Sequence, residues 1–200
     1  MPLVIGGKPE SNFDNPLGLL SDCHRRIERF LGSQIAILEQ TEGGALDAHQ
    51  RETLQKSLRY FRVAAPRHTR DEEDSLFPAM RASVAEAAHA ALDTLDKLES
   101  DHDKADVWHA EVDALCEQWL AVGEIKGSDK ERLDEDLKSL KALYNHHIHL
   151  EDKFIFPAAA KALDAATIKR VGREMAERRG LDPDAPLPDS PFRDAVAASV

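Results

Sequence analysis

The chain has 200 residues, 42% hydrophobic and 32% charged, with a formal net charge of -11. That length suits one domain with tails, and an acidic chain without basic clusters argues against nucleic acid and anionic membrane surfaces as partners. No apolar run approaches the roughly 20 residues of a membrane span, "MPLVIGGKPE" does not read as a secretory signal, and two cysteines without a CxxC spacing point to a reducing cytoplasm rather than a disulfide scaffold.

Proline placement sets the predicted elements. The tracts 17–65 and 79–156 are proline-free and rich in Ala, Leu, Glu, Lys and Arg, the good helix formers. Strand signals are nearly absent. After an N-terminal extension over 1–14, the first helix is predicted from Leu17 to Gln40, with Leu17, Leu20, Ile27, Leu31 and Leu38 on one stripe. "TEGGALD" is its turn. The second runs from Leu46 to Ser83, and Pro66 should kink it or split it just before His68. The third runs from Val84 to Val122, and "GEIKGSD" is the next turn, where Ser128 with Glu131 reads as a capping box. The fourth runs from Asp129 to Leu163. Four long helices with short turns suggest an all-α, up-down-up-down four-helix bundle over residues 15–163. A shorter fifth helix, Ala165 to Arg179, follows, and "DPDAPLPDSP" should leave the chain extended.

Two stretches repeat each other. "RHTRDEEDSLFP" (67–78) and "HIHLEDKFIFP" (147–157 after His146) share a skeleton. Shifted by 79 positions, His68 falls on His147, Glu72 on Glu151, Glu73 on Asp152, Phe77 on Phe156 and Pro78 on Pro157. His24 and His102 are 78 apart, so helices one and two form one half and helices three and four the other.

Each apolar stripe carries at least one histidine where a core leucine is expected: His24, His68, His102 and His147. A buried imidazole or carboxylate without partners costs several kcal/mol, and one such residue per helix is hard to ascribe to chance. Each histidine also has an acid four residues on, one turn along the same face: Glu28, Glu72, Asp106 and Glu151. Glu28 sits amid "RRIER" and suits a pairing with Arg25 or Arg29 on a solvated face as well as a ligand role. Mixed imidazole and carboxylate donors suit iron or manganese, with zinc possible. Bundles with such residues facing inward commonly house two metals. His109 reads as a pocket-lining group, and Tyr144, one turn before His147, as either a hydrogen-bond donor beside the ligands or core packing. Phe77 and Phe156 read as core plugs, and Cys23 as a buried thiol.

On these residues the chain resembles the hemerythrin-like proteins of the HHE cation-binding type. The matching positions are His24 in "LLSDCHRRIERFL", His68 and Glu72 in "HTRDEEDSLFP", His102 in "LESDHDKAD", and His147 and Glu151 in "HIHLEDKFIFP". The resemblance implies a four-helix bundle around a non-haem di-iron site, with the two glutamates bridging the irons, the four histidines capping them, and an oxo or hydroxo group between. The oxygen carriers of the family are similar but have His-x-x-x-His on the third helix, where this chain has His102 and Asp106, and His-x4-Asp in the last motif, where it has His147-x3-Glu151.

The expected function is a cytoplasmic di-iron protein that binds or reacts with oxygen, nitric oxide or peroxide, a binding protein rather than a dedicated enzyme. Iron storage or donation, and a di-iron peroxidase or oxidase, are the alternatives, with manganese or zinc as substitute metals. A homodimer is possible for such a bundle.

Overall fold

A computed structural model describes residues 11–182; the first ten residues and the end of the expected extended tail, 183–200, lie outside the described residues. Every regular element among the described residues is helical. The main helices are α1 (Pro16–Thr41), α2 (Ala48–Val63), α6 (Leu92–Val122) and α7 (Gly127–Leu150). Shorter pieces are α3 (Ala65–Asp71), α4 (Phe77–Ala82), α5 (Glu86–His89), α8 (Phe156–Ala162) and α9 (Ala165–Glu177). None is long and apolar enough to cross a membrane.

Local chemistry fixes the ends. Asn15 caps α1 by accepting from the Gly18 N–H, with Pro16 in the first turn, where a missing N–H costs nothing. Asp47 and Gln50 form a reciprocal capping box on α2, and Asp164 caps α9 through the Thr167 N–H. The capping box read at Ser128 and Glu131 does not form: α7 begins at Gly127 after Lys126, so Ser128 already lies inside the first turn. Val84 does not begin the third helix either. The chain is extended at Ser83 and Ala85, Val84 is exposed, and Ser83 bonds locally to the Ala85 N–H as serines do in turns. The long second helix is interrupted at Ala64, before Pro66, as expected for a ring that crowds the preceding turn.

At one end the two inter-helix turns lie side by side. Trp119 Nε1 donates to the Gly44 carbonyl at 2.9 Å, and the Ile125 N–H donates to the Gly43 carbonyl at 2.8 Å. Gly43 adopts a left-handed φ of 80°, and a Cβ there would strike the Ile125 carbonyl, so glycine is required by both backbone and space.

The buried apolar side chains form two clusters. One lies toward those turns and includes Leu31, Leu54, Leu58, Val112, Trp119 and Leu137. The other includes Leu20, Leu76, Phe77, Met80, Leu95 and Phe156. Each large apolar side chain so buried contributes about 1.5–3 kcal/mol, so two full cores can carry a polar layer between them. The histidine level is that layer: His24 falls between Leu20 and Ile27, which belong to different clusters. Helix α9 completes the second cluster with Val171, Met175 and Ala176, and Phe13 of the N-terminal segment packs there too. Gly172 lets the Phe13 backbone approach α9 closely. Arg178 and Arg179, just past α9, both bond to Asp71, which is fully buried.

Candidate metal centre

His24 on α1, His68 on α3, His102 on α6 and His147 on α7 meet at one level, all buried. Glu72 and Glu151 are both 0% exposed and stand among them. One ligand atom from each of His24, His68, Glu72 and Glu151 lies within 4.8 Å of the others, and the same holds for Glu72, His102, His147 and Glu151. Both glutamates therefore belong to both groups. Glu72 divides its oxygens: Oε1 is 3.5 Å from His68 Nε2 and 4.0 Å from His24 Nε2, while Oε2 is 3.5 Å from His102 Nε2. Glu151 Oε2 lies 3.0 Å from His24 Nε2 and 3.2 Å from His147 Nε2. All four imidazoles present Nε2 inward.

The glutamates sit where the helices change pitch. Glu72–Leu76 and Glu151–Ile155 are five-residue π-helical turns. In each, the following phenylalanine N–H (Phe77, Phe156) bonds back to the glutamate carbonyl five residues earlier. The cause is the proline after each phenylalanine. Pro78 and Pro157 have no N–H to return four residues back, and their rings crowd that carbonyl; one widened turn relieves both. The i, i+4 spacing of His68 to Glu72 and His147 to Glu151 is thus ordinary helix up to the glutamate and π beyond it.

Those turns also brace the site. His24 Nδ1 lies 3.1 Å from Asp152 Oδ1, and His102 Nδ1 lies 2.7 Å from Glu73 Oε1. The acid after each shared glutamate therefore holds a histidine of the opposite sequence half. The phenylalanines follow the same cross-over: Phe156 stacks on His24 at 5.5 Å and Phe77 on His102 at 6.5 Å. Ser21 Oγ donates to Asp152 at 2.5 Å. A carboxylate on the outer nitrogen fixes the ring and, in the neutral imidazole, takes the proton on Nδ1 so that the Nε2 lone pair faces inward, the arrangement of a metal-ligating histidine. The repeat aligned Glu73 with Asp152, but the sequence reading gave neither a role.

Left to themselves these groups are in conflict. Glu72 is pushed well above the usual carboxylate range by burial, then by the negative charges of Glu151 and Asp71 beside it. Burial acts upward on Glu151 too, but His147 and His24 outweigh it and hold it low. Burial acts downward on His24, yet the hydrogen bond to Asp152 and the nearby charge of Glu151 raise it to about 9. His68 is depressed by burial and by the neighbouring imidazoles, His24 foremost. His24 Nε2 and all four oxygens of Glu72 and Glu151 make no hydrogen bond though buried. Unpaired buried carboxylate oxygens are costly. Cations at the two overlapping groups would satisfy them, and the donor set of imidazole and carboxylate suits iron, manganese or zinc.

Beside the histidines lies a cavity of about 30 Å³, room for roughly two water-sized groups. Phe61, Tyr144 and His109 also line it. Glu28 is exposed on α1 and takes no part in the cluster. Asp106 is exposed as well; it lines the cavity without joining either group. Burial pushes the Cys23 thiol up to about 11, so the residue before His24 is inert.

Residues 15–159 match the hemerythrin HHE cation-binding domain. The chain belongs to that family. An uncharacterised protein of Haemophilus influenzae is 25% identical over 174 residues, covering 84% of this chain and 92% of the relative. Membership agrees with a centre built from paired His and Glu donors, and with a cation as its occupant.

Proposed function

We propose that this hemerythrin-family protein holds two non-haem iron ions and uses them to bind, or react with, oxygen, nitric oxide or peroxide. The observation that carries this reading is the sharing of Glu72 and Glu151 between two histidine groups. Two cations at one such site need bridging carboxylates, and a single cation does not. His24 and His68 would hold one ion, His102 and His147 the other, with the glutamates, and a solvent-derived oxo or hydroxo group, between them. When bound, iron supplies a vacant coordination position and the electrons that a diatomic or peroxide ligand accepts. The protein supplies the dry layer, the fixed imidazoles and the small cavity beside them.

Storage or donation of iron suits the geometry less well. All six proposed ligands are 7% exposed or less, and release of an ion requires an exposed path. Two buried free thiols, Cys23 and Cys116, suit a cytoplasmic setting.

The test is metal content of the purified chain, with an optical spectrum before and after dithionite and then air. Two irons per chain, with near-ultraviolet bands that bleach and return, support the reading, and a new visible band in air marks reversible oxygen binding. A chain holding one zinc, or no metal after anaerobic iron loading, sinks it.

A further inference from the structure

The two sequence halves agree at the ligands and disagree beside them. A shift of 79 positions sets Tyr144 on Ala65, and a shift of 78 sets His109 on Leu31. Ala65 and Leu31 are buried members of the apolar core, and Ala65 lines the cavity. Where the second half carries a tyrosine and a histidine, the first half therefore carries apolar side chains at the matching positions. Tyr144 stands one turn before His147, and His109 two turns after His102, so both belong to the helices of the second cation group.

The pair is built as a unit. Tyr144 Oη and His109 Nε2 lie 2.9 Å apart, the His109 ring stacks on Phe61 at 4.3 Å, and Tyr144 stands edge-on to His147 at 6.5 Å. Burial lowers His109 to about 4, so its ring is neutral near pH 7 and carries a proton on one nitrogen only. With that proton on Nε2, His109 donates to Tyr144 and frees the phenolic O–H for another acceptor. With it on Nδ1, Tyr144 donates to His109. Tyr144 and His109 both line the cavity, beside the apolar Phe61, Ile27, Ala65 and Ile148.

We infer that the two cation positions are inequivalent, that a small exogenous ligand binds at the His102–His147 position, and that Tyr144, oriented by His109, donates a hydrogen bond to it. The ligand class is a di- or triatomic acceptor, which the cavity has room for. His109 is a positioning residue: it acts through Tyr144. This rests on the two-metal reading above and adds which position opens and which residue selects the ligand.

Azide is the probe, titrated optically into the iron-loaded, air-oxidised full chain. Tyr144→Phe keeps the ring and removes the donor, and a hydrogen bond to a charged ligand lost this way weakens azide about tenfold or more. His109→Leu installs the side chain of the other half and weakens it less. In the Tyr144→Phe background His109→Leu has no further effect, because its influence passes through the missing hydroxyl. Glu28→Ala, at an exposed position outside both cation groups and outside the cavity, leaves azide within about twofold. In the Mössbauer spectrum azide perturbs one of the two iron sites. Unchanged azide affinity in Tyr144→Phe, equal weakening by Glu28→Ala, or equal perturbation of both irons overturns this inference and leaves the two-metal reading standing. A wild-type chain that takes up no iron pair overturns both.

Discussion

Asp152 holds His24 across the bundle at 3.1 Å, and Glu73 holds His102 at 2.7 Å. Each acid lies in the widened turn of one sequence half and fixes an imidazole of the other. For His24 and His102 the histidine and the carboxylate that orients it come from different halves, so both halves must fold together to set these two rings.

Removing a brace should loosen metal without emptying the site. Asp152→Asn and Glu73→Gln are each expected to weaken metal binding about 10- to 100-fold, measured by competition with a chelator. Equal affinity in both variants and wild type would mean the outer carboxylates do not set the rings.

Removing a shared carboxylate should do more. Glu72→Ala or Glu151→Ala takes a donor from both groups at once, so bound metal should fall from two ions to one or none. Glu28→Ala, at an exposed position outside both groups, should leave the count unchanged. Metal analysis of the three variants separates bridging residues from bystanders.

The helix after the bundle is pinned by charge as well as by apolar contact. Asp71 is buried and receives both Arg178 and Arg179. Asp71→Ala removes the buried carboxylate that both guanidinium groups share and should cost about 3–5 kcal/mol in denaturant unfolding. Arg62→Ala, which breaks an exposed pair with Asp113 and Glu117, should cost at most about 1 kcal/mol.

The metal-free protein should lose stability as acid is added. Burial lowers His109 from 6.5 to about 4, so the unfolded chain takes up its proton first as pH falls. Its contribution is complete above about pH 6.5 and is lost progressively down to about pH 4, on the order of 1–3 kcal/mol. The unfolding free energy of wild type minus that of His109→Leu should fall as pH drops through that window; parallel curves would remove His109 from the account.

Much of this was legible before any coordinates. Proline-free tracts and leucine stripes marked the long helices, and the 79-residue repeat marked the paired motifs, because helical period and proline chemistry are local. The same reading put Glu28 and Asp106 beside the ligands, since an i+4 spacing shows a shared face but not how far round the helix the cluster reaches. It carried the third helix back to Val84 because good helix formers hide a turn that Ser83 makes with its own side chain.

The residue types and their spacing thus determined an all-helical chain with a histidine on every stripe and a glutamate one turn beyond two of them. Tertiary structure alone decided which atoms converge. The π turns exist because proline must be accommodated in a continuing helix, and the cross-braces because the antiphase of two such turns brings Glu73 to His102 and Asp152 to His24. Contacts between residues 29 and 128 positions apart in sequence depend on helix packing, and no local pattern contains them.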